Sequence, residues 1–438
     1  MSVDSLSRRS VLGASAFTLV RPDLVRGAGK ERLKAGLVGC GGRGTQATVD
    51  MLTGNENVEL VAMADVFEDK LEGSLKRLRD PKYIGRHAGI VVERKGQPHE
   101  MTREELVAEI TERVKVTPDA HFVGFDAFKK LVSSDVDIVM LCTPPGYRPE
   151  HFEAAVNAGK HVFTEKPIAT DPVGARRFLA AGEKAAQKKL TVVSGAQRHA
   201  DKPYVETVRK IHDGALGDVI ALYSYYLSGP VMHAQGREAK WGDMEWEHRN
   251  WYSFIWICGD QIVEQHFHNI DFMNWVMQGH PQKVVASGGV AWRPRTELYG
   301  NIYDHMSSDF VYPNGVHLSS VCRQYPRGVY YNVSDLVVGA RGRTNGQDLG
   351  TKGISPYVQE HINLAKSILG TGPYLNEAKS VAESTLTAIM ARESAYSGQE
   401  ITWEMIMNSK QDLQPRQFGY NEKMPPPELP VPGKYKFI

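Results

Sequence analysis

The sequence predicts an α/β protein of two domains, the first built on a parallel sheet and the second on a large open, mostly antiparallel sheet. Three observations carry this. A glycine-rich turn follows the apolar strand Leu33 to Val38 and leads into a helix. Apolar strands and helices then alternate as far as Gly195. Beyond that point the hydrophobic period shifts toward two. At 438 residues the chain is too long for a single ordinary core. A formal net charge of +1 gives no field for nucleic acid or an anionic surface. No apolar run approaches the roughly 20 residues that span a bilayer. Cys40, Cys142, Cys258 and Cys322 stand far apart without a C-x-x-C, so they read as buried apolar side chains rather than a disulfide or zinc framework.

The N-terminus, residues 1–30, reads as a leader and linker. Arg8 and Arg9 precede the apolar stretch up to Val20, and acidic residues are scarce. The pattern resembles a twin-arginine export signal, which implies a periplasmic protein delivered folded.

The first domain is expected over residues 31–166. In "GLVGCGGRG", Gly39, Gly41 and Gly44 form G-x-G-x-x-G between a strand and a helix. One glycine allows the tight turn, one lets backbone approach a pyrophosphate, and one lets helix and strand pack closely. The helix N-terminus then offers free N–H groups to phosphate. The strand Val58 to Asp65 ends in a carboxylate where the adenosine ribose of a dinucleotide is read. That carboxylate repels a 2′-phosphate, which favours NAD over NADP. This is a Rossmann arrangement. The polar stretch from Asp80 to Ala120 is longer than a usual connection and reads as an insertion with a helix near Thr102 to Val114. "VDIVMLCTPP", "HVFTEKP" and "LTVVSG" continue the strands. Their unbroken apolar character suits a parallel sheet covered on both faces.

Gly39-x-Gly41-x-x-Gly44, Asp65, Thr143-Pro144 and Glu165-Lys166-Pro167, in this order, resemble the Gfo/Idh/MocA oxidoreductase family. The resemblance runs from about Lys34 to about Arg392. It implies cofactor contacts by Gly39, Gly41, Gly42, Arg43, Gly44, Asp65, Thr143, Pro144, Glu165, Lys166 and Gln197. It also implies a catalytic Lys166 near nicotinamide and substrate, where an ammonium stabilises charge on the reacting oxygen.

The second domain is expected over residues 167–400. "VIALYSYYL", "SSDFVY", "VHLSSVCRQ" and "VSDLVVG" read as its strands, and a last helix, "EAKSVAESTLTAIMARESA", packs back on the first domain. An extended, proline-rich tail is expected over 401–438. The resemblance implies that the sheet covers the cofactor and serves a homodimer or homotetramer. "GDQIVEQHFHNIDFMNW" reads as one buried helix from Ile262 to Met277 carrying Glu264, His268 and Asp271 on one stripe. A polar stripe on a buried helix needs partners or a cavity, so an internal ion pair and a catalytic pocket both fit it. The family pattern places a catalytic histidine at His268. Glu264 stands where the family has aspartate, and His266 where it has glycine. A neutral histidine suits general base work, with Glu264 or Asp271 orienting the ring. His266 and His268 diverge by about 160° on a helix, which argues against a shared metal. Arg198, Tyr226 and Asp271 are expected at the substrate. The tryptophan-rich stretch Lys240 to Trp256 offers either planar faces for a sugar ring or core packing.

The expectation is an exported oxidoreductase using NAD on a secondary hydroxyl of a sugar, glycoside or cyclitol. Two other readings stand beside it. One is a glycosidase with tightly held NAD that oxidises, eliminates, adds water and reduces again. The other is a non-catalytic sugar-binding protein, against which the joint presence of Lys166 and His268 argues.

Overall fold

The computed structural model describes residues 32–94, 96–231 and 234–438. The twin-arginine segment lies outside them. Eight strands come first: β1 (Leu33–Val38), β2 (Val58–Asp65), β3 (Val91–Arg94), β4 (Gln97–Glu100), β5 (His121–Val123), β6 (Ile138–Leu141), β7 (His161–Thr164) and β8 (Val192–Ser194). Six of them form a parallel sheet in the order β5-β2-β1-β6-β7-β8. The chain leaves β1 for β2 on one side and later resumes at β6 on the other. The crevice above the carboxyl ends of β1 and β6 is therefore the switch point where such sheets take ligands. This sheet runs on to Ser194, so the first domain does not end at Lys166. The helix Pro172–Gln187 is its last crossover, and the helix Pro356–Leu369 also packs on it beside the helix Gly42–Gly54.

The insertion holds the β3–β4 hairpin and the helix Arg103–Arg113. A capping box between Thr102 and Glu105 starts that helix. The insertion finishes the end of the helix Gly42–Gly54. Arg113 donates to the carbonyls of Leu52 (2.7 Å) and Asn55 (2.5 Å), and Arg94 to that of Thr53 (3.0 Å). Those carbonyls have no partner within their own helix, and the cations also suit its negative end.

Seven strands make the second sheet: β9 (Val219–Ser228), β10 (Lys283–Gly289), β11 (His305–Val311), β12 (His317–Gln324), β13 (Asn332–Gly339), β14 (Gly342–Thr344) and β15 (Ile401–Thr402). Their order is β14-β13-β9-β12-β11-β10-β15, antiparallel except for β9 with β12. One face is buried and the other leaves Tyr223 and Val285 exposed. The helix Ala378–Ser397 lies between β10 and the helix Pro172–Gln187, so it joins the two domains. Its Arg392 is fully buried and donates to the carbonyls of Thr170 (2.5 Å) and Gly259 (3.1 Å) and to Glu393 (2.7 Å). The last region is not extended throughout. β15 and the helix Trp403–Asn408 precede a coil that begins at Ser409. Thr402 caps that helix through the amide of Met405. No described helix is long and apolar enough to cross a membrane.

Candidate active site

The turn after β1 is shaped for a dinucleotide phosphate. Gly39 has φ +96°, and a Cβ there would lie 2.6 Å from the backbone of Cys142 and Thr143. A Cβ on Gly44 would sit 2.0 Å from the Gly39 carbonyl. Neither position tolerates a side chain. Gly41 and Gly42 face open space, and no side chain caps the helix they begin. That leaves an open cradle of main-chain N–H groups, as an anionic ligand requires. Asp65 ends β2 as expected. Its carboxylate accepts from the amides of Cys40 (2.6 Å) and Phe67 (2.8 Å), bracing the two loops of the crevice, and burial raises its pKa.

Arg43 reaches from this loop to the next strand end. Its Nε donates to Glu165 Oε1 (2.5 Å), Nη2 lies 3.3 Å from Glu360 Oε1, and Nη1 lies 3.5 Å from Asp50 Oδ2. The Tyr357 ring lies 5.0 Å from the guanidinium, and its hydroxyl accepts from Gln197 Nε2 at 3.3 Å. Burial lifts Asp50 to about 6 although Arg43 pulls it down. Glu165 is pinned from behind, since a Cβ on Gly195 would fall 2.6 Å from its Oε2. Thr143 is buried on His151, Oγ1 to Nδ1 at 3.3 Å, and Pro144 follows it at the end of β6.

Lys166 and Glu264 meet from opposite domains. Lys166 Nζ donates to the Glu264 carbonyl at 2.6 Å and lies 3.6 Å from its carboxylate, with both residues buried. Gln265 Nε2 donates to Glu264 Oε2 at 2.5 Å. The Tyr226 hydroxyl donates to Gln265 Oε1 at 2.8 Å, and burial pushes that phenol up to about 12. His268 follows four residues after Glu264, close enough to Lys166 and Arg198 to feel their charges. Burial, with the positive charges of Lys166 and Arg198, holds its pKa well below the usual histidine range. The ring is therefore neutral and able to accept a proton.

Three expectations need correcting. Ile262 to Met277 is not one helix, because the chain breaks between Gln261–Glu264 and Phe267–Met277. Asp260, fully buried at φ +79° and ψ 160°, starts the first piece, and its carboxylate accepts from the amides of Gln261 (2.5 Å) and Tyr303 (2.8 Å) and from the Tyr396 hydroxyl. Only glycine adopts that backbone region readily, so those bonds hold a strained turn. Asp271 does not orient His268. It accepts from His199 Nε2 at 2.9 Å, and that ring stacks on Trp275. Burial works against a charged His199, yet the Asp271 carboxylate outweighs it and raises the pKa. Arg198 is tied into the protein itself. It donates to Asp335 (2.8 Å) and to the His268 carbonyl (3.0 Å), with the Tyr204 ring 4.9 Å from its guanidinium. It positions the histidine's backbone instead. His266 turns to β12, where Nε2 meets Ser320 Oγ at 2.6 Å. The tryptophan-rich stretch packs Trp241, Trp246 and Trp256 into a core of their own with Tyr147 and Phe254. Among the described residues no group of three or more His, Cys, Asp or Glu gathers as a metal would need.

The glycine cradle and the carboxylate that ends β2 define a dinucleotide-binding scaffold, and Lys166 meets Glu264 from the second domain at its edge. Residues 82–194 match the family described as "Oxidoreductase family, NAD-binding Rossmann fold". That match falls within the first domain, whose fold is that of an NAD-binding Rossmann domain. An inositol 2-dehydrogenase of Rubrobacter xylanophilus is 23% identical over 71% of this chain and 70% of its own. A 4-carboxy-2-hydroxymuconate-6-semialdehyde dehydrogenase of Sphingobium sp. is 31% identical over 32% of this chain and 44% of its own. The chain spans 44%, 29% and 41% of three such curated relatives. The solved scyllo-inositol dehydrogenase of Lactobacillus casei with bound NAD(H) and scyllo-inositol has the same fold. It gives a TM-score of 0.60 and 19% identity over 85% of this chain and 99% of that one.

Proposed function

We propose that the protein transfers hydride between NAD and a secondary hydroxyl carbon of a sugar, glycoside or cyclitol. One observation carries the reading: Lys166, just beyond β7 beside the NAD cradle, meets the buried Glu264 of the second domain, with His268 close enough for their charges to interact. The curated relatives named as inositol 2-dehydrogenases support the substrate class. Bound NAD supplies the hydride acceptor. Lys166 donates a hydrogen bond to the substrate oxygen and stabilises charge on it. His268 takes the hydroxyl proton as the carbon is oxidised and returns it in reduction. Glu264, with Gln265 and Tyr226 behind it, holds the lysine in place. In the same reading the segment around Arg8 and Arg9 directs export to the periplasm, and the exposed face of the second sheet joins copies of the chain. A panel of cyclitols, free sugars and glycosides, assayed with and without added NAD, tests the proposal. NADH formation with at least one cyclitol or sugar is expected. Aglycone release without net NADH would replace it by the glycosidase cycle, and binding without turnover would leave a sugar-binding protein.

A further inference from the structure

We infer that the C-terminal segment 414–424 and the segment 241–249 complete the adenosine end of the NAD site and hold the dinucleotide in it. The inference rests on the NAD site proposed above and concerns residues far from Lys166. In the parallel sheet the phosphates lie at the turn after β1, and Lys166 lies beyond β7. The half of the dinucleotide away from Lys166 must therefore lie over β2 and β5. Phe67 follows Asp65 by two residues, and Phe125 follows the end of β5. Neither ring is covered by its own domain alone. Tyr420 lies 6.1 Å from Phe67 and 5.1 Å from Phe125, ring to ring, and Phe418 lies 5.9 Å from Phe125. His248 meets the same two rings edge-on at 6.4 and 5.3 Å.

The placement is anchored, not incidental. The Tyr420 hydroxyl donates to the carbonyl of Val66, the residue next to Asp65. Arg249 pairs with both oxygens of Asp69 (3.1 and 3.3 Å) and lies 3.9 Å from the centre of the Phe67 ring. The two segments also bind each other. The amides of Met244 and Glu245 donate to the carbonyls of Glu422 (3.2 Å) and Tyr420 (3.3 Å). A Cβ on Gly242 would strike the Tyr420 carbonyl at 2.1 Å, so the tail lies directly on this segment. Phe125, Phe418 and Tyr420 stay only half-buried. Their open faces form an aromatic wall beside the ribose carboxylate, which is what a planar base needs to stack.

The test uses the full chain and separates the two halves of the dinucleotide. Binding of ADP-ribose and of nicotinamide mononucleotide is titrated calorimetrically for wild type, Tyr420→Phe and Tyr420→Ala. NAD retained after exhaustive dialysis is measured in the same preparations. Melting temperature without ligand reports folding. Tyr420→Ala is expected to weaken ADP-ribose at least tenfold, to leave the mononucleotide unchanged, and to release NAD at least tenfold faster. Tyr420→Phe keeps the ring and loses only the bond to Val66, so it falls between. Unchanged ADP-ribose affinity and NAD release in folded Tyr420→Ala would overturn the inference and leave the NAD site standing. Absence of NAD binding in wild type would overturn both. If Tyr420→Ala does not fold, an ADP-ribose affinity in Tyr420→Phe equal to wild type decides against it.

Discussion

At the scale of single residues, the proposed reaction rests on Lys166 and His268, and the backbone before Glu264 rests on Asp260. Lys166→Ala should leave NAD affinity within about tenfold, roughly 1.4 kcal/mol, while turnover falls much further. His268→Ala should lose about a hundredfold to ten-thousandfold in turnover, the usual cost of removing a general base. Preserved turnover on folded protein would remove either residue from the mechanism. The pH dependence has a definite sign. A histidine with a lowered pKa stays neutral, and stays a base, to lower pH than a free one. The acidic limb of kcat should therefore fall well below pH 6.5, and a limb at 6.5 would show an unperturbed base. Asp260→Ala removes acceptors from three buried donors and keeps a backbone that alanine cannot relax. It should cost about 3 kcal/mol or more, since each orphaned donor costs about 1–3 kcal/mol. Asp260→Gly should cost less, because glycine adopts that turn freely. Denaturant midpoints compare the pair. The place of Lys166 just beyond β7, against Glu264, is legible from motif and spacing. Asp260, Gln265 and Tyr357 are not, because their roles come from a backbone angle and from contacts across the domain boundary.

Elements were legible where one period governs them. β1 and β2 begin and end at the residues their apolar runs predict, and β9, β12 and β13 agree within a residue or so. β10 escaped because "KVVASGG" ends in small residues with weak strand preference. The broken helix escaped for a different reason. Apolar residues cover Ile262 to Met277 nearly all round, so the pattern carries no mark of a change in direction. That change falls at Gln265 and His266, between the two pieces, and the helix Ala378–Ser397 holds the turn at Gly259 and Asp260 that starts the first piece. Arg392 of that helix holds Thr170, beyond Lys166, and Gly259, before Glu264, in one grip. Arg392→Met should leave Glu393 buried without its cation and lower stability by about 3–5 kcal/mol, as breaking buried pairs does. Calorimetry on the purified variant checks this. An unchanged melting temperature would mean that Gln411 and Tyr435, which also bind Glu393, suffice alone.

For the molecule as a whole, the sequence marks a two-domain chain with a Rossmann half, and its order of segments hides how the halves interlock. The helix Pro356–Leu369 returns to the first sheet, and no local pattern announces a return across so many residues. The proposed export signal makes its own prediction. Arg8→Lys with Arg9→Lys should abolish export while the described domains fold as before. Cell fractionation decides it, and undiminished periplasmic protein in the double variant would refute the signal.

The bond between Tyr420 and Val66 joins residues 354 apart. Closing so long a loop adds little to its thermodynamic cost, which grows only with the logarithm of length. It matters for time. At about 5–20 residues per second, the glycine turn leaves the ribosome roughly 20 to 70 seconds before the tail that closes over its far end. For that interval the crevice stands open on the β2 and β5 side. NAD that enters early would be enclosed as the tail docks, and NAD that arrives late must wait for the tail to lift. Refolding from denaturant should therefore load NAD faster when it is present from the start than when it is added to refolded protein. Tyr420→Ala should erase that difference.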